Sequence, residues 1–369
     1  MMAAEFCYSQ DLTNLTMKLA KTMSPVESAV MFTLGVSGNI LALVMLVRNA
    51  AHHKWKIFYR LVGALASSDL FGILSTSPVA FAVYDNHFVW PGGQPVCDYL
   101  SFMLIFASMG TLTIVSAMSL DRYLAVWYPF FYNISQKKRR VHLMLVGVWV
   151  FAALIASMPL MNFGRNIRHF PCTWCFFDYY GTYMSDRAFS ILYATLGILN
   201  TIVSSTFNCL VLYAVCRGTI NTRRMSIRSA RGKKREKKNE IFILIFLIAI
   251  LIVHAVCWMP LMIRVLINTS GARPNYKTDL LALRMASWNQ ILDPWLYILL
   301  RKEMLTRIYI FYRKKRYGVV FVTPASSESL SGSMRLQALN SKQRLQKMNS
   351  TESNTTTTEI KELLNTAQS

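Results

Sequence analysis

The chain has 369 residues, 53% of them hydrophobic and only 16% charged, with a mean hydropathy of +0.32, which is too apolar for an ordinary soluble domain. The formal net charge of +22 raises the class of nucleic-acid binders. A soluble protein of that class would show basic residues without long apolar runs, so no nucleic-acid partner is expected.

Residues 1–25 lack an apolar core, so they read as an exterior tail and the first helix is expected to act as its own insertion signal. Seven stretches follow that are long enough to cross about 30 Å of hydrocarbon: 26–48, 58–83, 96–126, 141–161, 187–216, 241–268 and 280–300. Each is apolar around its whole circumference. The expected fold is therefore an all-α membrane protein, a seven-helix bundle over 26–301, rather than a barrel. Lys54, Lys56 and Arg60, then Lys137 to Arg140, the run 223–238 and residues 313–316 load alternate connections with positive charge. This asymmetry places the amino terminus outside and the carboxyl terminus inside. Asn14 heads an outside glycosylation sequon, and Asn268 heads one that hugs the membrane.

The third stretch ends in Asp121-Arg122-Tyr123, and Glu240 opens the sixth. Arg122 could snorkel to the interface, or it could clamp helix three to helix six through Glu240 in a latch that breaks on switching. Glu240 and Trp258 are eighteen residues apart, about five turns, so they share one face. Pro260, two residues on, is expected to kink the sixth helix. Asn39, Asp69, Thr111, Asn289 and Asp293 form a polar set at mid-membrane, with Asn289, Asp293 and Tyr297 spaced four apart on one stripe. Asp69 and Asp293 could share a proton or hold a sodium ion, or the set could be a purely structural network. His254 reads as a satisfied core histidine. Arg264 reads as a snorkelling cation.

Cys7, Cys97, Cys172 and Cys175 fall on the oxidising side, while Cys209, Cys216 and Cys257 fall within helices. A Cys97–Cys175 bridge would staple the second outer loop over the bundle, and Cys7 with Cys172 would pin the tail to it. Spacing alone does not decide the pairing.

Arg284 stands seventeen residues before Arg301, about 25 Å along a helix and so in the outer third of the bilayer. A guanidinium at that depth points to function and to an anionic partner. That partner is either an acid within the chain, such as Asp279, or an acidic ligand. The facing stretch of helix three, from Phe102 to Thr113, holds no acid, which disfavours a cationic ligand. Phe102, Met103, Phe106, Trp258 and Trp288 would suit a ligand with one charged head and a long apolar body. Burial of that body at ~25 cal/mol per Å² would supply most of the affinity, with arginine supplying orientation.

Beyond the seventh stretch, Met304, Leu305, Ile308, Tyr309 and Tyr312 recur at helical spacing among basic residues. Residues 302–316 thus read as an amphipathic helix on membrane lipid. Residues 317–369 are rich in Ser, Thr, Asn and Gln and read as a disordered inner tail. Thr355 to Thr358 there are candidate sites for receptor kinases and arrestin. No Cys/His/Asp constellation supports an enzyme, and no metal or cofactor is called for. Residues 280–300 contain no lysine for a retinal Schiff base. The inverted repeats and broken helices of a transporter are absent.

Gly38-Asn39, Leu65-Ala66 through Asp69, Asp121-Arg122-Tyr123, Trp149, Cys257-Trp258-Met259-Pro260 and Asp293-Pro294-Trp295-Leu296-Tyr297 resemble the marks of rhodopsin-like G-protein-coupled receptors. Within that family the chain resembles the prostanoid receptors. The run Pro171-Cys172-Thr173-Trp174-Cys175-Phe176 is similar to their second-loop signature, Asp293 replaces the usual asparagine as it does in them, and helix five lacks proline. The resemblance covers about residues 25–315. It implies that Arg284 pairs with the carboxylate of a prostaglandin-type lipid such as prostaglandin E2. It implies that Thr173 and Tyr84 donate to the same carboxylate, that Ser287 or Ser108 meets a ring oxygen, and that Trp174 lies in the ligand-facing loop. It further implies a heterotrimeric G protein of the stimulatory class and rising cyclic AMP.

Overall fold

The computed structural model describes residues 25–48, 57–86, 90–133, 137–181, 183–217 and 230–299. Cys7, Asn14, the helix expected at 302–316 and the tail expected at 317–369 lie outside these residues. The long helices are Val26–Arg48, Ile57–Asp85, Gly93–Trp127, Lys137–Ser157, Met184–Cys216, Ala230–Thr269 and Tyr276–Leu299, called helices one to seven below. A short helix, Pro129–Asn133, follows helix three, and a two-stranded hairpin, β1 (Asn166–His169) and β2 (Trp174–Phe177), joins helices four and five.

Six of the seven meet the length and apolarity of a membrane span. Helix seven falls short because Lys277, Asp279, Arg284 and Asp293 lie along it. Those charges mark it as the helix that faces the bundle interior with polar groups.

Helix three is the axis of the bundle. Of its span, 78% is buried inside the protein, against 22% for helix five. It packs on helices two, four and five and on β2. Small residues let its neighbours close in. A Cβ on Gly72 of helix two would stand 2.9 Å from the Ala107 Cβ, and one on Gly38 of helix one would stand 2.8 Å from the Trp295 ring nitrogen. Without a hydrophobic driving force between helices in lipid, close backbone approach of this kind supplies much of the packing energy.

Two apolar cores result. The inner one gathers Leu46, Phe58, Leu61, Ile114, Met118, Phe246 and Tyr297. The outer one lies beneath the hairpin and joins Phe176, Phe177 and Tyr179 to Phe189 and Tyr193. The hairpin pairs antiparallel in the register Asn166 to Phe177 through His169 to Trp174. Every side chain of β2 is buried, so the strand is a lid element rather than a solvent-exposed loop.

Candidate functional site

Helix seven presents two stripes. Asp279, Ala282, Ala286, Asn289, Asp293 and Tyr297 are buried at three- and four-residue spacing and form the interior face. Leu280, Leu283, Arg284, Ser287 and Ile291 form a second stripe one step round the helix. This stripe lines a cavity of about 180 Å³ whose other walls come from helices one, two and three and the hairpin. Met31 and Phe32 face it from helix one, Ile73, Ala80, Phe81 and Tyr84 from helix two, Leu100 and Leu104 from helix three, and Thr173 and Trp174 from the hairpin. The lining is mostly apolar, with a few convergent polar groups, the usual composition of a small-molecule site.

Four of the ligand contacts expected from the sequence therefore meet Arg284 at one cavity: Thr173, Tyr84, Ser287 and Trp174. The Ser287 hydroxyl donates to the Leu283 carbonyl at 3.1 Å, and the Trp174 indole donates to the Phe170 carbonyl at 2.9 Å. Ser108 is not among the lining residues. Its hydroxyl is buried against the Tyr193 hydroxyl at 2.9 Å and donates to the Ile105 carbonyl at 2.8 Å. The apolar body of a ligand was expected among Phe102, Met103, Phe106, Trp258 and Trp288, yet none of these lines the cavity. Phe102 and Phe106 stack on each other at 6.1 Å instead. Hydrophobic identity marks residues able to hold such a body; only packing decides which of them border open space.

Arg284 already holds an acid of the chain. Its guanidinium stands 2.9 Å from the Glu27 carboxylate, the two side chains being 32% and 47% exposed. The internal pair weighed in the sequence reading is thus present, with Glu27 rather than Asp279. Asp279 belongs to a different cation: Arg264 donates to it at 2.6 Å and to Asn268 at 3.1 Å. Arg264, partly buried, is therefore the structural partner of a buried carboxylate and not a snorkelling residue. Tyr180 hydrogen bonds to the same carboxylate, as does the Asn268 amide at 3.1 Å. Asn268, which heads the second sequon, is buried within this cluster.

The hairpin is held over the site by the Cys97–Cys175 disulfide, whose Cα atoms are 5.2 Å apart. Cys172 is disulfide-bonded as well. The Asn166 amide donates to Asp98 at 2.9 Å, and Ser101 of helix three donates to the Asn166 carbonyl oxygen at 2.7 Å. His169 stacks between Trp174 and Tyr179, 4.6 Å from each ring, with its Nε2 3.1 Å from the Phe177 carbonyl. Burial pushes the His169 pKa down to about 4. Burial pushes the neighbouring Asp178 carboxyl up, although Arg165 approaches it to 3.3 Å.

At mid-membrane Thr111 donates to Asp69 at 2.9 Å and Asn289 to Asp293 at 3.0 Å. All four are buried, and the two carboxylates lie within electrostatic range of each other. Among the described residues, the second oxygen of each aspartate has no hydrogen-bond partner. His254 is buried, but among the described residues neither ring nitrogen finds a partner, so it is a core histidine without the satisfaction expected of it. Trp258 is buried against the outer core, and Pro260 lies inside helix six. At the inner end, Arg122 pairs with Asp121 and donates to the Tyr132 hydroxyl at 3.2 Å. Tyr132 donates to Asp121 at 3.0 Å, tying helix three to the short helix after it. The side chain of Glu240 lies outside those described.

The sequence reading missed Glu27, Tyr180 and the Arg165–Asp186 pair at 2.7 Å. Glu27 carried a signal: it is the one acid inside the first apolar stretch.

Comparison with known proteins agrees with this architecture. Residues 38–297 match the model of the 7 transmembrane receptor (rhodopsin family). The prostaglandin E2 receptor EP4 subtype of Oryctolagus cuniculus is 37% identical over 319 residues, covering 76% of this chain and 65% of the relative. The EP2 subtype of Rattus norvegicus is 32% identical, covering 76% of this chain and 84% of the relative. The prostacyclin receptor of Mus musculus is 33% identical, covering 78% and 70%. The chain thus spans just under two thirds of the length of the EP4 relative. Squid rhodopsin shares the fold at a TM-score of 0.67 and 17% identity, covering 80% of this chain and 86% of its own. The chain is a multi-pass membrane receptor and not an enzyme: it belongs to the rhodopsin family of seven-transmembrane receptors, among the prostanoid receptors.

Proposed function

We propose that this chain is a plasma-membrane receptor for a carboxylic lipid of the prostaglandin type, prostaglandin E2 foremost, with its amino terminus outside. The observation that carries the reading is the cavity itself. One arginine, Arg284, meets Thr173, Tyr84 and Ser287 at a mostly apolar cavity of about 180 Å³ that Glu27 and Gln290 also line. Arginine presents a planar fork that suits a carboxylate, and apolar walls suit the remainder of such a lipid. The names of the EP4 and EP2 relatives support the E2 choice. Ligand binding would bias helix six and open the inner crevice to a heterotrimeric G protein of the stimulatory class. Asp69, Thr111, Asn289 and Asp293 would carry the shared proton or sodium ion of the resting state. Receptor kinases and arrestin would then act on the tail.

The test is cyclic AMP accumulation in transfected cells against a panel of prostanoids. Prostaglandin E2 should raise it, and Arg284→Ala should weaken its potency about 10- to 100-fold, the worth of a hydrogen bond to a charged group. The methyl ester should be little affected by the substitution. A potency for the free acid that ignores Arg284→Ala would remove the assignment.

A second reading within the same family is a different anionic lipid on the same arginine. The Glu27 carboxylate already seated there indicates that the position accepts acids in general. A response confined to another member of the panel would select it.

A further inference from the structure

The Glu27–Arg284 pair is an unusual feature for a site that receives an acid. Glu27 lies in the first turn of helix one and Arg284 two turns into helix seven. Their ion pair, at 2.9 Å, crosses the cavity between those helices, and both residues belong to its lining. The pair therefore occupies the position from which Arg284 would address a ligand head. Two carboxylates cannot share one guanidinium there without like-charge repulsion. Glu27 has somewhere to go: its side chain is 47% exposed, so it can rotate into water and remain solvated. A half-exposed pair is weakly held, in contrast to the buried Arg264–Asp279 pair beside it.

We infer that Glu27 is a resident surrogate for the ligand carboxylate, and that binding proceeds by exchange of one acid for the other on Arg284. This rests on the proposed carboxylic-lipid function and extends it. The exchange has two consequences. An acidic lipid binds more weakly than the bare site would allow, because only the fraction of molecules with Glu27 swung away is competent. A neutral lipid gains nothing from Arg284, because it cannot replace the charge that Glu27 supplies. Glu27 is thus a specificity-determining residue that keeps the arginine masked until a stronger or better-oriented acid arrives. A plainer role would be favourable charge at the N-terminus of helix one; this would stabilise the helix and leave ligand affinity alone.

Displacement of radiolabelled prostaglandin E2 by the free acid and by its methyl ester, on membranes carrying the full chain, separates these roles. Glu27→Gln and Glu27→Ala should each bind the acid about two- to fivefold more tightly than the parent, the range expected for a partly exposed ion pair. Affinity for the ester should stay within about twofold. The alanine variant guards against a packing effect peculiar to the amide. If the parent binds the acid and neither variant binds it more tightly, or if acid and ester shift together, the exchange is overturned while the prostanoid reading stands. If parent and variants alike fail to bind the acid, the prostanoid reading falls, and the exchange falls with it.

Discussion

Arg264 and Arg284 lie twenty residues apart in sequence, at the outer ends of adjacent helices, yet their surroundings differ. Arg264 meets Asp279 with only 18% and 3% of the two side chains exposed, and Asn268 and Tyr180 complete the acceptor's shell. Removing one member of a buried pair leaves the other charge unpaired in low dielectric. Asp279→Asn should therefore cost about 3 kcal/mol, read as a lowered Tm of the detergent-solubilised receptor. Glu27→Gln should cost under about 1 kcal/mol in the same measurement, because water screens a half-exposed pair. Equal losses for the two variants would contradict the division of these arginines into a structural and a ligand-facing one. Ser108 illustrates a different outcome. A hydroxyl at a suitable height on helix three looked available, but a buried hydroxyl seeks a partner and finds one in Tyr193.

At the scale of an element, the hairpin over the outer face is the part whose stability should depend on pH. His169 is fully enclosed between Trp174 and Tyr179, and burial holds its pKa near 4, whereas the unfolded side chain titrates near 6.5. Between those values the unfolded chain binds a proton that the folded chain does not. Stability is thus complete above about pH 6.5 and falls as pH drops toward 4, by ~1.4 kcal/mol per pH unit. Asp178, whose carboxyl is pushed up by burial, works in the opposite direction, so the comparison must be with a variant. His169→Phe keeps the aromatic stack and removes the proton. It should flatten the Tm profile between pH 6.5 and 4.5 relative to the parent. Parallel profiles would show that His169 is not the group that titrates. Helix one against helix seven, and helix two against helix three, owe their close contact to small residues. Gly38 and Gly72 admit Trp295 and Ala107 at distances a Cβ would forbid, which brings helix one close enough for Glu27 to reach helix seven.

For the whole molecule, the orientation of the bundle is the claim on which the site depends, since an acidic lipid from outside must meet the cavity mouth first. On the proposed orientation, which the alternate basic connections favour, the amino terminus lies outside. Asn14 should then carry glycan, and Asn14→Gln should abolish the mobility shift produced by a glycosidase; a parent chain that shows no shift would count against the orientation. Membrane chemistry made the helices visible in the sequence. Seven runs of apolar residues can satisfy their backbone only as helices, and the charges that interrupt helix seven singled out Arg284. The Asp69–Thr111 and Asn289–Asp293 contacts were legible for the same reason, since polar groups in hydrocarbon must find each other. Residue type and depth did not say which acid meets which arginine. Asp279 was the acid named for Arg284 and Glu27 was not, and only the rotation of helix seven against helices one and six assigns Asp279 to Arg264 and Glu27 to Arg284. The cavity likewise lies beside helices one, two and seven rather than among the aromatics of helix three. Thus the chain's own pattern of hydrophobicity and charge determined the bundle and marked Arg284 as a cation in need of an anionic partner. The pairing of charges and the place of the void were decided by packing, because both depend on how helices far apart in sequence turn toward one another.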